Sequence, residues 1–352
     1  MWTLGKKKQL KSLGIDIGSK AIKIVELSKQ KDRIILENYG GLKLSGVKKE
    51  SFQYFDKRTL LPSSKNISLA IKAILEEAKI ETTEVIFSLP DFSTFFTSFN
   101  LPPMTAKELG DAVNFESKKH IPIPFNEVVL DWQLIGDINE KEGNNKILVM
   151  AISKSLISEY KKIAEECSLT LLSLEAEVMG LKRAIVGKEN DTLCLVETGC
   201  QSTTISIIDH GFLLISVSFE VGGKDCTYSI SEALNIDLHK AEEIKMNLGL
   251  KNTDNKVIGA LTPILNIILQ KVKQVINDFE KGEIKVKKII LAGGSANMPG
   301  LLDYLKANFQ GLDIKVGNAF ENVFYPNELK PMVPELSTTF SIALGEALKK
   351  FE

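Results

Sequence analysis

Gly14-Ile15-Asp16-Ile17-Gly18-Ser19 is a stretch whose residue types could do chemistry. Ile15 and Ile17 flank an acid, Gly18-Ser19 read as a tight turn, and Ile22, Ile24 and Leu27 resume the apolar pattern. An acid inside an apolar hairpin is expensive to bury unless something pairs with it. Mg²⁺ is one such partner, since it is held by one or two carboxylates together with substrate phosphates. Gly18 lets a backbone approach an anion closely, and Ser19 can donate a hydroxyl. The other reading is an ordinary hairpin with an acid at its turn, and this stretch alone leaves both open.

Two later stretches bear on that choice. Glu197-Thr198-Gly199-Cys200-Gln201-Ser202-Thr203 lies between apolar runs at 192–196 and 204–208, so an acid-Gly turn follows a strand a second time. An apolar run at 286–292 leads into Gly293-Gly294-Ser295-Ala296-Asn297-Met298. A strand ending in glycines before a helix turns backbone N–H groups toward the carboxyl edge of a sheet, where α/β folds bind ligands. Two equivalent acid-Gly turns suggest duplicated halves with a cleft between them.

Other chemistries find little support. There is no Gly-x-x-x-x-Gly-Lys-[Ser/Thr] loop, no Gly-x-Gly-x-x-Gly and no Gly-x-Ser-x-Gly elbow. Cys167, Cys194, Cys200 and Cys226 form no Cys-x-x-Cys pair, and His120, His210 and His239 are far apart, which disfavours zinc and leaves reduced thiols as the default. A net charge of -1 gives no nucleic-acid signal, and the basic run Lys6-Lys7-Lys8 reads as a solvated terminus. No stretch approaches transmembrane length, and the first residues lack the pattern of a signal peptide.

A chain of 352 residues is too long for one compact core, so two domains are expected. Three strands over 13–18, 21–28 and 33–42 precede irregular chain at 45–66, a helix to 79, and a strand over 84–89. A Phe-rich strand at 92–101 then opens a small module. It continues with a helix over 106–120 capped by Thr105 and Glu108, strands at 128–135 and 146–152 around a turn at 139–145, and a helix at 154–168. A strand at 169–174, a helix over 175–186 and a linker at 187–191 close the first half. Strands at 192–196, 204–208 and 212–219 restart the pattern. Helices follow at 226–234, 238–248 and 262–280, the last with Pro263 in its first turn, and further helices at 301–309 and 337–350.

Together these stretches resemble the first phosphate, second phosphate and adenosine loops of the actin-like superfamily. The inserted module resembles the SHS2-type module that marks the FtsA branch. Within it, Leu101-Pro102-Pro103-Met104, Asn114-Phe115-Glu116, His120-Ile121-Pro122 and Val128-Val129-Leu130-Asp131-Trp132 are similar to the PilM family of type IV pilus assembly proteins. Ala241-Glu242-Glu243-Ile244-Lys245 and Pro334-Glu335-Leu336-Ser337 fit the same family, and the likeness covers nearly the whole chain. It implies an α/β, actin-like (ribonuclease H-like) fold of duplicated βββαβα halves. The first spans 1–190 with the small subdomain at about 90–166. The second spans 191–352 with a helical insertion at about 225–285, and the last helix, 337–350, is a candidate to pack back on the first half.

The resemblance also implies a function. The chain would be a cytoplasmic ATP-binding scaffold, peripheral to the inner membrane through a partner. It would dock the N-terminal segment of a PilN-like inner-membrane protein in a groove beside the module. Pilus motor ATPases are further partners to consider, the chain would be a homo-oligomer or ring, and nucleic acid is not a partner. Asp16, and Glu197 from the second half, would hold Mg through water. Gly18, Ser19 and Lys20 would contact the phosphates, and Lys23 would reach the β-phosphate. Gly199 would close from the other half, Gly223 would approach the nucleotide, and Glu242 and Lys245 would bind ribose or adenine. Gly293, Gly294, Ser295 and Met298 would form the adenine-side wall, and Glu177 is the catalytic candidate, placed to position attacking water. Four departures point to weak or absent hydrolysis: Glu197 where Asp is usual, Cys200 where a small or acidic residue is common, Val178 where Pro is usual, and no Arg between Ser218 and Val221. Alternatives are a same-fold component of a type II secretion or competence system, or a small-molecule kinase, for which no catalytic Asp stands out.

Overall fold

The computed structural model describes residues 10–44, 52–56, 59–62, 64–135, 145–187, 189–282 and 284–352. The basic run Lys6-Lys7-Lys8 and the expected turn before Asn145 lie outside them.

The chain opens as an antiparallel meander, β1 (Leu10–Ile17), β2 (Ala21–Gln30) and β3 (Arg33–Lys43). A small hairpin follows, β4 (Phe52–Asp56) with β5 (Thr59–Pro62), where polar, irregular chain was expected. Helix α1 (Ser64–Glu77) buries Ile67, Ile71 and Ile74 at helical spacing, and β6 (Glu84–Leu89) runs parallel to β1. The module contains β7 (Thr94–Leu101), α2 (Ala106–His120), β8 (Val128–Ile135) and β9 (Asn145–Ser153). Its helix starts at a complete capping box: Glu108 N–H donates to Thr105 Oγ1, and Thr105 N–H donates to Glu108 Oε2 at 2.9 Å. Then come α3 (Lys154–Glu166), β10 (Thr170–Ala176) and α4 (Glu177–Leu181). The helix expected from Glu175 begins two residues later because β10 keeps Glu175 and Ala176 paired to β6. Past α4, Lys182–Val186 widens into a π-turn closed by Gly187, whose φ is +57°.

The pattern then restarts as β11 (Leu193–Thr198), β12 (Thr203–Asp209) and β13 (Phe212–Phe219). Helices α5 (Gly223–Leu234), α6 (Leu238–Asn247) and α7 (Asn255–Phe279) lead to β14 (Lys288–Ala292), α8 (Leu301–Asn308) and β15 (Asp313–Val316). Helix α7 starts seven residues before the expected position. Asp254 caps it, and Pro263 lies in its interior rather than in its first turn. The proline is exposed, so the carbonyl it leaves without a helical donor faces solvent. The chain ends with β16 (Val323–Phe324), α9 (Val333–Thr339) and α10 (Ser341–Leu348). One final helix was expected. It is broken at Phe340 (φ -105°, ψ 6°), whose ring packs edge-on against Tyr39 at 5.5 Å.

Two compact units result. The first gathers Met1–Pro90, Ser155–Gly187 and Asn318–Glu352. Its six-stranded sheet has the order β10-β6-β1-β2-β3-β16. Helix α10 lies on β1 and β2, and Val25, Leu27, Phe320, Ala343 and Leu344 share a core. The packing is close enough to dictate glycines. A Cβ on Gly14 would stand 2.0 Å from the Ala343 carbonyl oxygen, and one on Gly345 would stand 1.9 Å from the Gly180 carbonyl oxygen where α10 crosses α4.

The second unit gathers Asp91–Lys154 and Lys188–Gly317. Its five-stranded sheet runs β13-β12-β11-β14-β15, over a core that includes Val196, Ile207, Leu261, Val272 and Leu291. The module's own sheet, β7-β9-β8, sits beside β13. The order β3-β2-β1-β6-β10 in one sheet matches β13-β12-β11-β14-β15 in the other, so the fold is a duplication: an antiparallel meander extended by two parallel strands, twice.

Candidate functional site

In the first unit the pairing of β1 with β2 sets Asp16 opposite Lys23. Lys23 Nζ lies 2.8 Å from Asp16 Oδ2, and Ser88, arriving on β6, donates its hydroxyl to Oδ1 at 3.2 Å. A carboxylate only 1% exposed thus has a charged donor and a neutral one, which is what makes its burial affordable. The turn is tight, with Gly18 N–H donating to Ala21 C=O at 3.1 Å. A Cβ on Gly18 would lie 3.7 Å from Lys23 Nζ and 4.0 Å from Asp16 Oδ2, so the glycine keeps the space over that ion pair clear. Ser19 is half-buried and Lys20 exposed at the same turn.

The parallel pairing of β6 with β1 and β10 brings their carboxyl ends together. Asp16, Ser88 and Glu177, the last at the start of α4, therefore gather along one edge of the sheet. Tyr160, on α3, is fully buried, with its ring edge-on to Phe87 at 5.8 Å. Burial pushes its phenol well above the ordinary range, and the negative charges of Glu177 and then Asp16 push it further. Ser88 is not singled out by the sequence; it reaches this edge through parallel pairing over a long sequence separation, and only the Ser-Leu-Pro strand end at 88–90 offers a signal. Tyr160 reads from the sequence only as an inward-facing residue of its helix.

The second unit carries the other predicted residues. Gly199 N–H donates to Ser202 C=O at 2.9 Å, and Gly223 N–H donates to Gly199 C=O at 2.9 Å. Lys245 is buried at 3% exposure, and its ammonium donates to Gly223 C=O at 2.8 Å, to Thr227 Oγ1 at 2.9 Å and to Glu242 Oε2 at 2.7 Å. All three ammonium protons are thereby used within the chain. Ser295 donates to Gly199 C=O at 3.4 Å, and a Cβ on Gly223 would fall 2.4 Å from Ser295 Oγ. Gly293 adopts φ +82°, and a Cβ there would meet Glu197 Oε1 at 2.4 Å and Thr198 C=O at 2.5 Å. The acid turn and the glycine loop are thus packed backbone to side chain. Gly294 opens the short turn Gly294–Asn297, which ends at buried Met298. Thr227, which links Lys245 and Glu242, is a further residue that the sequence did not point to.

Among the described residues no cluster of three or more His, Cys, Asp or Glu could ligate a metal directly. Both oxygens of Asp16 already accept a hydrogen bond. A Mg²⁺ at this edge would meet Asp16 through water and take its inner ligands from phosphates, as this ion commonly does.

Comparison with known proteins identifies the lineage. A family model described as type IV pilus assembly protein PilM matches residues 14–351. The cell division protein FtsA of Staphylococcus epidermidis (strain ATCC 12228) is 24% identical over 335 residues, covering 84% of this chain and 71% of FtsA. FtsA of Enterococcus faecalis is 21% identical over 369 residues, covering 94% and 82%. Among solved structures, a PilM-PilN type IV pilus biogenesis complex superposes with a TM-score of 0.82 at 23% identity, covering 97% of this chain and 99% of that one. The ethanolamine utilization protein EutJ from Carboxydothermus hydrogenoformans gives 0.57 at 16% identity, covering 96% and 89%. MreB5 of Spiroplasma citri bound to AMPPNP gives 0.50 at 12%, covering 97% and 96%. The structural likenesses establish an actin-like fold, and the family model's span over nearly the whole chain goes further: this chain belongs to the PilM family of type IV pilus assembly proteins.

Proposed function

We propose that this PilM-family chain is an ATP-binding scaffold that docks the cytoplasmic N-terminal segment of a PilN-like inner-membrane protein and hydrolyses ATP slowly or not at all. The observation that carries this reading is the likeness, across 97% of the chain, to a PilM that was solved together with PilN. Nucleotide binding draws further support from the fold shared with MreB5, which was solved with AMPPNP.

In this reading Asp16 holds Mg²⁺ through water while Lys23, Gly18, Ser19 and Lys20 receive phosphate oxygens. Lys23 is suited to that role because its side chain is 23% exposed while paired to Asp16. Gly199, Gly223, Gly293, Gly294, Ser295 and Met298 supply backbone and apolar contacts for the nucleoside. Lys245 acts there by fixing Gly223 and Glu242, which leaves Glu242 as the polar group for the ribose. Glu197 is the acid of the second turn and Glu177 the group that positions water, with the longer arm of Glu197 keeping turnover low. The partner segment docks beside the module, where Phe115 is 66% and Val129 45% exposed. No helix among the described residues is long and apolar enough to cross a membrane. In this reading attachment to the inner membrane runs through the PilN-like partner.

Two measurements test the proposal. Calorimetry of the full chain with MgATP is expected to show saturable binding, and a flat titration would remove the nucleotide part. Fluorescence anisotropy with a labelled N-terminal PilN peptide is expected to saturate, while a scrambled peptide does not. Equal binding of both peptides would remove the docking part.

A further inference from the structure

Lys245, Glu242 and Thr227 form a closed ring of hydrogen bonds inside the second unit, and Thr227 has a part in it that charge neutralisation does not explain. The Lys245 ammonium donates to the Gly223 carbonyl at 2.8 Å, to Thr227 Oγ1 at 2.9 Å and to Glu242 Oε2 at 2.7 Å. Glu242 already neutralises this buried charge, so no hydroxyl is needed for that purpose. A valine, with the outline of a threonine, would fill the same place on α5.

What Thr227 adds is a donor. Its hydroxyl has one proton and two acceptors within reach, the Gly223 carbonyl at 3.0 Å and Glu242 Oε2. The Gly223 carbonyl already receives the Lys245 ammonium and, as the residue four back in α5, the backbone N–H of Thr227. A carbonyl oxygen has two lone pairs, and both are thereby taken. The hydroxyl proton therefore goes to the carboxylate, which is charged and the stronger acceptor. Glu242 Oε2 then holds one donor from α5 and one from its own helix α6, which fixes the carboxylate from two sides. The ring opens in one direction: Thr227 is 6% exposed and the Lys245 side chain 4%, against 26% for the Glu242 side chain. Through Gly223 it abuts the acid turn and the glycine loop, since Gly223 N–H and Ser295 Oγ both donate to the Gly199 carbonyl.

We propose that Thr227 positions Glu242 to accept the paired hydroxyls of a ribose, so that the site selects ribonucleotides over nucleotides lacking those hydroxyls. Lys245 and Thr227 occupy Oε2, so the sugar hydroxyls donate to Oε1, whose place is set by the other oxygen. A carboxylate accepts and does not donate, which matches two hydroxyl donors. Thr227 is a positioning residue here: it touches no nucleotide and acts through Glu242. The selectivity rests on the nucleotide reading proposed above, whereas the fixing of the carboxylate stands without it.

The test uses the full chain with its Thr227→Val and Thr227→Ser variants, titrated calorimetrically with MgATP and with the magnesium complex of 2′,3′-dideoxyATP. The parent is expected to prefer MgATP by about 10- to 100-fold, the scale of hydrogen bonds to a charged group. Thr227→Val should bring the two affinities within about threefold of each other, chiefly by weakening MgATP, and Thr227→Ser should keep the parent's preference. In crystals without nucleotide the Glu242 carboxylate is expected to hold one orientation in the parent and in Thr227→Ser, and to turn away from it in Thr227→Val. A parent that binds both nucleotides equally overturns the proposal. So does a Thr227→Val variant that weakens both by the same factor or keeps the preference, or a Thr227→Ser variant that behaves like Thr227→Val. If the parent binds neither nucleotide, the nucleotide reading fails, and the orientation of Glu242 in the crystals still decides the role of Thr227: an unmoved carboxylate in Thr227→Val overturns it.

Discussion

Gly14 opens the acid-bearing stretch, and its lack of a side chain has a structural cause that can be put to a number. A Cβ there would lie 2.0 Å from the Ala343 carbonyl oxygen and 2.5 Å from the Ala347 nitrogen, both backbone atoms of α10. Ordinary contact begins near 3.4 Å, so β1 and α10 would have to part by about 1.4 Å for Gly14→Ala to be accommodated. Backbone atoms cannot rotate aside as a long side chain can. The cost is therefore expected at the upper end of overpacking, about 3 kcal/mol. For a cooperative unit of this size that corresponds to a melting temperature lowered by about 6–12 °C. Circular dichroism melts of the full chain measure it directly. MgATP affinity should fall in parallel, because the strand that shifts also carries Asp16 and its pairing to Lys23. Gly110→Ala in α2 is the matched control. Nothing lies within 4 Å of the added Cβ, so removing a helical glycine is expected to stabilise by about 0.5–1 kcal/mol. A Gly14→Ala protein that melts within about 2 °C of the parent, or a control that falls as far, would refute the packing account.

Other perturbations separate the roles of neighbouring groups. Glu346 is fully buried beside Gly180; burial, and then the charge of Glu175, raise its carboxyl well above the ordinary range against the opposing pull of Arg183. Because its folded value is the higher one, the stability it contributes is complete below the unfolded value near 4.5 and is lost as pH rises through the folded value. Glu346→Gln should therefore gain on the parent progressively from acid to alkaline pH in urea titrations, and parallel pH profiles would contradict this. Asp16→Ala is expected to weaken MgATP binding by about 10- to 100-fold in calorimetry and Glu197→Ala by less. The reverse order would make Glu197 the principal metal acid. Lys245→Met removes the ammonium shared by the Gly223 carbonyl, the Thr227 hydroxyl and the Glu242 carboxylate, and is expected to cost about 3 kcal/mol by urea unfolding. Adding Glu242→Gln should recover part of that loss.

What could be read from the chain depended on how locally each feature is encoded. The acid-Gly turns were legible because strand alternation, a glycine and a small residue sit next to one another. The capping box of α2 was legible for the same reason, Thr105 and Glu108 being three residues apart. Lys23 lies within reach of the same kind of reading. An acid and a base placed symmetrically about the middle of the turn, between Ser19 and Lys20, face each other across a hairpin, and the register shows that they do. Ser88 was not legible, since parallel strands far apart in sequence deliver it, whereas the inward face of the helix that carries Tyr160 was. The break at Phe340 follows from an aromatic contact with Tyr39, a partner some 300 residues away that no helical period reveals. Pro263 misled because a first-turn proline is the commoner case, while the true start was marked only by Asp254.

The two acid turns share an order of elements but not a way of holding the acid. Asp16 is short, and its charge is met inside its own unit by Lys23 and Ser88. Its place is therefore set before any ligand arrives. Glu197 is longer by one methylene, and its Oε1 occupies the region that a Cβ on Gly293 would need. Only glycine serves there, both for that reason and because of the positive φ of +82°. The extra length of Glu197 is thus taken up against the glycine loop. Mg²⁺ tolerates little departure from octahedral geometry, so an acid whose position is dictated by a neighbouring loop suits holding a hydrated ion better than steering an attacking water. That difference in construction is the physical ground for proposing a nucleotide that is retained rather than turned over.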